Sequence, residues 1–434
     1  MEMIHYEKNI PLAGTYDVMV CGGGPAGIGA AIAAAESGAK TALIERFGFL
    51  GGMATAGMVD PMSEFYYDGE RMLGGIPWRF AKELIAQGGA ILEEPRGNIS
   101  FNPETYKLVA QRMVRAAGVE LLTNTVLVDC KVDENSVDFL LVSNKNGVQV
   151  VKADYYIDAT GDACLADMAG VQMLPEKMAP QPATLCFSMN GVDTETERIH
   201  IMHQKTPRFN HQALFIREKM LELRGAGEDV PLFGGPWLCT TLNKGSIVLN
   251  LTRAAADATD NDNFNNAEQK MLEDVFTFAR LLRKHIPEFK NAEIQSIAVT
   301  AGTRQGRRIR GLYVLTGKEY VEGVEFEDTV AHACHAVDIH SPNDGGQVLN
   351  FPKKAGSIPY RCLITENYPN LIVAGRAISA DEEAFAAIRV QAPCMETGQA
   401  AGIAAGLCLK SGIPVQQVDV PQLLAEIKSK DSSL

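Results

Sequence analysis

The chain is 434 residues long, 46% hydrophobic and 21% charged, with a formal net charge of −13. That length suits two domains with ample core, and the acidic balance argues against nucleic acid or an anionic membrane surface as partner, since both require a basic face. Nine cysteines with no CxxC or CxxxxC pair exclude a redox-active disulfide of that spacing and a zinc or iron–sulfur framework, so they read as reduced thiols of a cytoplasmic protein. Residues 1–12 carry charges and no apolar run, so no signal peptide is expected, and no segment approaches the ~20 apolar residues of a membrane span.

Residues 17–21 form an apolar run that ends in glycines, residues 25–37 are almost all alanine, glycine and isoleucine, and residues 40–44 are apolar again before Glu45. Strand, glycine turn, helix, glycine stop and strand make a βαβ unit. A helix is expected over 103–117 and strands over 119–132 and 148–159. Beyond Gly170, Pro175, Pro180 and Pro182 mark a connection. Strands are then expected near 183–190, 237–241 and 246–252. Helices should follow Asp193 and Asn265, the second with Glu268 placed as in a capping box. Residues 370–375 read as a buried strand and 397–409 as a small-residue helix, with the last six residues frayed. The pattern implies an α/β fold: a Rossmann-like nucleotide-binding domain (1–178 and 361–434) interrupted by an inserted α+β substrate domain (179–360).

Gly22-Gly23-Gly24-Pro25-Ala26-Gly27 fits G-x-G-x-x-G. Gly22 permits the tight turn, Gly24 lets backbone approach a pyrophosphate, and Gly27 lets helix and strand pack closely. The helix that follows aims its positive end at the phosphates. Glu45 closes the second strand, where a carboxylate accepts hydrogen bonds from ribose hydroxyls and disfavours a 2′-phosphate. These features alone do not separate NAD from FAD.

The stretch Ile44-Glu45-Arg46-Phe47-Gly48-Phe49-Leu50-Gly51-Gly52-Met53-Ala54-Thr55 resembles a signature of the FAD-dependent oxidoreductases related to fumarate reductase flavoproteins, of the glutathione-reductase-like fold. Asp158-Ala159-Thr160-Gly161-Asp162 resembles that family's second block. Asn370-Leu371-Ile372-Val373-Ala374-Gly375-Arg376, with Arg389-Val390 and Met395-Glu396-Thr397-Gly398-Gln399-Ala400-Ala401-Gly402, resembles its third, in which a helix N-terminus faces the flavin pyrimidine. The resemblance implies FAD bound by Gly22, Gly24, Pro25, Ala26, Gly27, Glu45, Arg46, Gly51, Gly52, Met53, Ala54 and Val126. To these it adds Ala159, Thr160, Gly161, Gly375, Arg376, Thr397, Gly398, Gln399 and Ala400. No histidine stands in residues 46–60, where covalent relatives place one, so the FAD is expected to be noncovalent. A second G-x-G-x-x-G is missing, so NAD(P)H as electron donor would have to dock transiently at the flavin face.

Hydride exchange at a flavin needs a proton donor or acceptor beside the substrate. The segments Val337-Asp338-Ile339-His340 and Ile358-Pro359-Tyr360-Arg361 match the family's return to the flavin domain. His340 is the proton-handling candidate on its ordinary pKa. Arg361 is a candidate carboxylate clamp, with an ion pair bracing the loop as the alternative, and Tyr360 is weaker. The basic run 302–310 offers Arg304 and Arg308 as site-lining residues for an anionic substrate, against a reading as solvated charge. His332, Cys334 and His335 would share a helix face but match no established ligand set, so no metal is expected. Cys164, Cys394, Trp78 and Trp237 are read as packing. The leading function is an FAD-dependent dehydrogenase or reductase acting on a C–OH/C=O or C–C/C=C unit of a small molecule. An electron-transfer subunit without organic substrate and an FAD-bound regulatory module stand behind it. A homo-oligomer is compatible with everything above.

Overall fold

The computed structural model describes residues 2–176, 178–200, 213–240 and 242–430. Strand β1 (Leu12–Cys21) is buried through its last four residues, as a central parallel strand must be. Helix α1 (Pro25–Glu36) opens with a proline at its first turn, where no N–H is required, and β2 (Thr41–Ile44) completes the βαβ unit. Helices α2 (Gly75–Ala86) and α3 (Pro103–Ala116) follow, the second capped by the Asn102 side chain on the N–H groups of Glu104 and Thr105.

The expected strand over 119–132 is two strands, β3 (Glu120–Leu122) and β4 (Val126–Asp133). Asn124 takes φ 52° between them, and the N–H groups of Asn124 and Thr125 turn back to the carbonyls of Phe47 and Glu45. Strand β5 (Ser136–Asn144) was not foreseen. Glu134 and Asn135, at φ 45° and 68°, make the tight turn that pairs it antiparallel with β4. Strand β6 (Gly147–Asp158) then returns beside β1, giving the order β3-β2-β1-β6-β5-β4.

Next comes a four-stranded antiparallel sheet of β7 (Phe187–Asn190), β8 (Phe233–Thr240), β9 (Ser246–Thr252) and β10 (Glu293–Ile297), in the order β8-β9-β7-β10. The expected helix after Asp193 begins at Glu197 and is described as far as His200. Helix α4 (Asn261–His285) packs on the sheet and begins before Asn265, because Asp260 caps the N–H groups of Asp262 and Asn263. Glu268 is no capping-box partner. Its carboxylate accepts from Thr300 Oγ1 and Ala301 N instead. The expected strand end at Thr241 and the last four residues of the expected frayed tail lie outside the described residues.

The chain returns through β11 (Thr329–Ala333), β12 (Val337–His340), β13 (Gln347–Asn350) and β14 (Gly356–Pro359), paired antiparallel as β11–β14 and β12–β13. His332 therefore lies on a strand, and it shares no helix face with His335. Strand β15 (Leu371–Val373) joins β6 in parallel, and α5 (Glu382–Ile388) and α6 (Gln391–Ser411) finish the nucleotide-binding fold. Helix α6 starts at Gln391, six residues before the expected Thr397.

Helices α1 and α6 nearly touch backbone to backbone. A Cβ on Gly29 would lie 2.2 Å from the Met395 carbonyl oxygen, one on Gly398 2.0 Å from that of Ala26, and one on Gly402 2.3 Å from that of Ala30. The alanine–glycine composition of both helices is what permits this approach. Residues 183–301 share a core of their own with Met58, whereas Leu315, Tyr320, Val330 and Ile358 pack into the core of the nucleotide-binding fold. The architecture is a Rossmann-like α/β fold with an inserted α+β unit.

Candidate active site

The first glycine loop is held from three sides. Gly22 adopts φ 100°, and its N–H donates to the Ile44 carbonyl. A Cβ on Gly27 would lie 1.7 Å from the Gly22 carbonyl oxygen, so this position closes the turn. Gly24 differs: a Cβ there would meet only the Gly52 Cα, at 3.8 Å. Helix packing therefore does not explain this glycine, whereas a phosphate close to its backbone would. Pro25 and Ala26 occupy the first turn of α1 behind it.

Glu45 is buried at the end of β2, and its two carboxylate oxygens accept from Gly23 N (2.7 Å) and Phe47 N (2.8 Å). Burial pushes its carboxyl above the usual range, opposed by those two N–H bonds. Each oxygen retains a further acceptor position, which suits ribose hydroxyls. Arg46 beside it is exposed and lies over the Phe47 ring. Val126 is half exposed at the start of β4. The second glycine pair lies against the first loop: Gly51 N donates to Gly23 O (2.8 Å), and a Cβ on Gly52 would lie 2.9 Å from the Gly24 Cα. Met53 and Ala54 continue as a single 3-10 turn.

Ala159 N donates to Cys21 O, and Thr160 donates through N and Oγ1 to buried Asp158. Arg376 ties three loops together, donating to Gly161 O (2.8 Å), Thr303 O (3.4 Å) and Asp162 Oδ1 (2.8 Å). Its charge is committed to bracing the site. Gly375, at φ 79°, donates its N–H to Thr397 Oγ1. Thr397, Gly398, Gln399 and Ala400 are all buried inside α6: Gln399 Oε1 accepts from Ile76 N, and Gly398 packs on α1. The helix end that the sequence placed at Thr397 belongs to Val390, Gln391 and Ala392. There α6 begins without a side-chain cap although its first residues are buried. Gln391 donates through Nε2 to Val59 O (2.7 Å) and keeps a buried Oε1 with no partner among the described residues. A buried, uncapped N-terminus of a long helix favours partial negative charge. The open Gly24–Gly52 cradle, the acceptors on Glu45 and this helix end fit the pyrophosphate, ribose and ring of a flavin dinucleotide.

His340 ends β12, 6% exposed, with Nε2 2.9 Å from Asp338 Oδ2 and its own N–H on Gln181 Oε1. Burial, then the nearby Arg304 charge, push its pKa down to about 3. The ordinary value expected of it is thus overturned, and His340 is a neutral imidazole whose Nε2–H donates to Asp338. Burial opposes ionisation of Asp338, but His340 and Arg389 hold it well below the usual carboxylate range. Arg389 lies 3.7 Å from that carboxylate and donates to the Asp338 carbonyl.

The other two catalytic candidates stand elsewhere in the network. Arg361 is half exposed and fixed to Asp328 by two hydrogen bonds, of 2.9 and 3.0 Å. The loop-bracing alternative is what its geometry provides. Arg308 is fully buried, donates to Ala380 O (2.8 Å) and pairs with Glu176 (3.0 Å). It lines a cavity of about 410 Å³ with Arg310, Asp381, Glu382 and Glu383. Gln391, Arg253 and Thr184 went unremarked in the sequence. Pro393, in the first turn of α6, was the available signal for Gln391. Arg253, alone after a strand, gave none.

These features define a class: a flavin-binding oxidoreductase of the glutathione-reductase-like fold. The chain belongs to the FAD dependent oxidoreductase family, whose description matches residues 17–427. It is 30% identical over 157 residues to thiamine thiazole synthase from Methanococcus vannielii, a stretch covering 33% of this chain and 56% of that protein. The Methanococcus aeolicus enzyme is 30% identical over 162 residues, covering 35% and 57%. The chain thus spans little more than half the length of these curated relatives. Over 47 residues it is 51% identical to dihydrolipoyl dehydrogenase of Trypanosoma brucei brucei, covering 11% of this chain and 10% of that one. In fold it is similar to a geranylgeranyl bacteriochlorophyll reductase-like protein from Thermoplasma acidophilum, with TM-score 0.50 and 14% identity, covering 96% of this chain and 83% of the other. Among the described residues, no helix is long and apolar enough to cross a membrane.

Proposed function

We propose that the protein is an FAD-dependent oxidoreductase that moves a hydride between flavin and a small organic substrate, oxidising or reducing a C–OH/C=O or C–C/C=C unit. The observation that carries this reading is the run of features from the Gly24–Gly52 cradle past Glu45 to the buried, uncapped start of α6. Room for a pyrophosphate and acceptors for a ribose support FAD over FMN. When bound, the flavin supplies reversible two-electron redox chemistry. The remaining work falls to the chain: α6 offers N–H groups to developing negative charge, and Gln391 offers a buried acceptor. Arg376 braces the loops around the ring. His340 and Asp338 form a hydrogen-bonded polar wall on the substrate side. The kinship with fumarate reductase flavoproteins rests on the motif blocks and the return segments at 337–340 and 358–361.

The division into 1–178 with 361–434 and an inserted 179–360 is part of this proposal, with residues 183–301 supplying the substrate-side sheet. An NAD(P)H donor would bind transiently at the flavin face. The test is an anaerobic half-reaction. Rapid bleaching of the flavin bands by NADH or NADPH supports a nicotinamide-fed reductase, and a flavin bleached by dithionite alone supports a dehydrogenase fed by its organic substrate or by a protein partner. A flavin reduced at the same rate in the denatured and folded protein would defeat the proposal.

A further inference from the structure

Arg253 and Arg304 converge on one hydroxyl: their Nη1 atoms lie 2.6 and 2.8 Å from Thr184 Oγ1. The two residues are 1% and 8% exposed, so neither charge is solvated. Asn250 Oδ1 and Thr252 O occupy the rest of Arg253 Nη1, and Pro182 O accepts from Arg304. Arg253 Nε and Nη2, together with Arg389 Nε, are buried donors with no partner among the described residues. The carboxylate acting on these arginines is Asp338, which is already bound to His340 and Gln347. Three guanidiniums against one carboxylate leave an excess of two positive charges. Like charges held together out of water, with donors unmet, need a counter-charge, and the described residues contribute only Asp338. The FAD pyrophosphate is provided for elsewhere, at the glycine loop and α1.

We infer that Arg253, Arg304 and Arg389 form the anion-binding end of the substrate site and select a ligand carrying two negative charges on carboxylate or phosphate oxygens. Guanidinium forks suit either oxyanion. Thr184 sets the spacing of two of the forks, and Asp338 with His340 fixes the third. That the ligand is a substrate rests on the oxidoreductase reading above. The anion site itself does not.

The test is thermal denaturation and calorimetric titration of the whole protein, with and without added FAD, against malonate and inorganic phosphate at constant ionic strength. Saturable binding of one dianion is expected, and which of the two binds identifies the oxyanion. Arg253→Met should weaken it by tenfold or more, and Arg280→Gln, on the exposed face of α4, should not. If Arg253→Met does not fold, Arg389→Gln gives the same readout. No saturable binding of either dianion, or wild-type affinity in both variants, would overturn the inference. Saturable binding by a protein that takes up no FAD would keep the anion site and remove the oxidoreductase reading.

Discussion

Gly24→Ala separates the cost of a side chain to the fold from its cost to the cofactor. In the chain itself the new methyl would face only the Gly52 Cα, at 3.8 Å, an ordinary contact. The position has no positive φ (−72°), so no backbone strain is added. Thermal stability without cofactor should therefore change little. A phosphate oxygen hydrogen-bonded to loop N–H groups sits at ~2.9 Å, closer than a methyl beside it permits. Displacing it forfeits one or two charge-assisted hydrogen bonds, each worth ~1.5–3 kcal/mol, so FAD affinity should fall at least tenfold and by up to ~10,000-fold. Titration of FAD into the apoprotein, followed by flavin fluorescence, reads this directly. Unchanged affinity in Gly24→Ala would mean that no phosphate approaches this loop. A large loss of apoprotein stability would mean that the glycine serves packing after all.

The neighbouring Gly27→Ala should yield no folded protein, because its Cβ would lie 1.7 Å from the Gly22 carbonyl oxygen; a soluble variant with wild-type circular dichroism would contradict the turn geometry. His340→Ala should keep its flavin and lose turnover by ~100-fold; steady-state kinetics with unchanged kcat would remove His340 from the chemistry. Glu396, buried in α6 and accepting from His332 N and Gly74 N, has its carboxyl pushed up to about 8 by burial. Its contribution to stability is fully present below the ordinary carboxylate range and is lost as pH rises through 8. Urea unfolding of Glu396→Gln should thus have a flatter pH dependence between about 5 and 8, by up to ~1.4 kcal/mol per pH unit. Parallel pH profiles for variant and wild type would show that this carboxyl is ionised throughout.

The β1–α1–β2 unit was legible because every signal in it is local: apolar strands, a glycine turn, a proline at the helix start and small residues along the helix. Features settled by distant partners were not. Arg361 looked like a clamp until Asp328, from the strand-leading turn before β11, took the Nε–Nη2 edge of its guanidinium. The ionisation of His340 depends on burial and on Arg304, which no local pattern displays. Glu268 had the spacing of a helix cap, yet Asp260 lay earlier and left Glu268 free to hold Thr300 and Ala301. The start of α6 was misread because Thr397 and the glycines near it are the conspicuous letters. The glycines serve the contact with α1 and Thr397 accepts from Gly375 N, while the uncapped helix end lies at Val390, Gln391 and Ala392.

The most direct measurement is the visible spectrum of the purified, reconstituted protein, followed by chromatographic identification of the released cofactor. The account predicts the two bands of oxidised flavin, released intact as FAD by heat or acid. Release of FMN would leave the Glu45 and Gly24 assignments without their adenosine and pyrophosphate, and a protein that stays colourless after incubation with FAD would contradict the central claim.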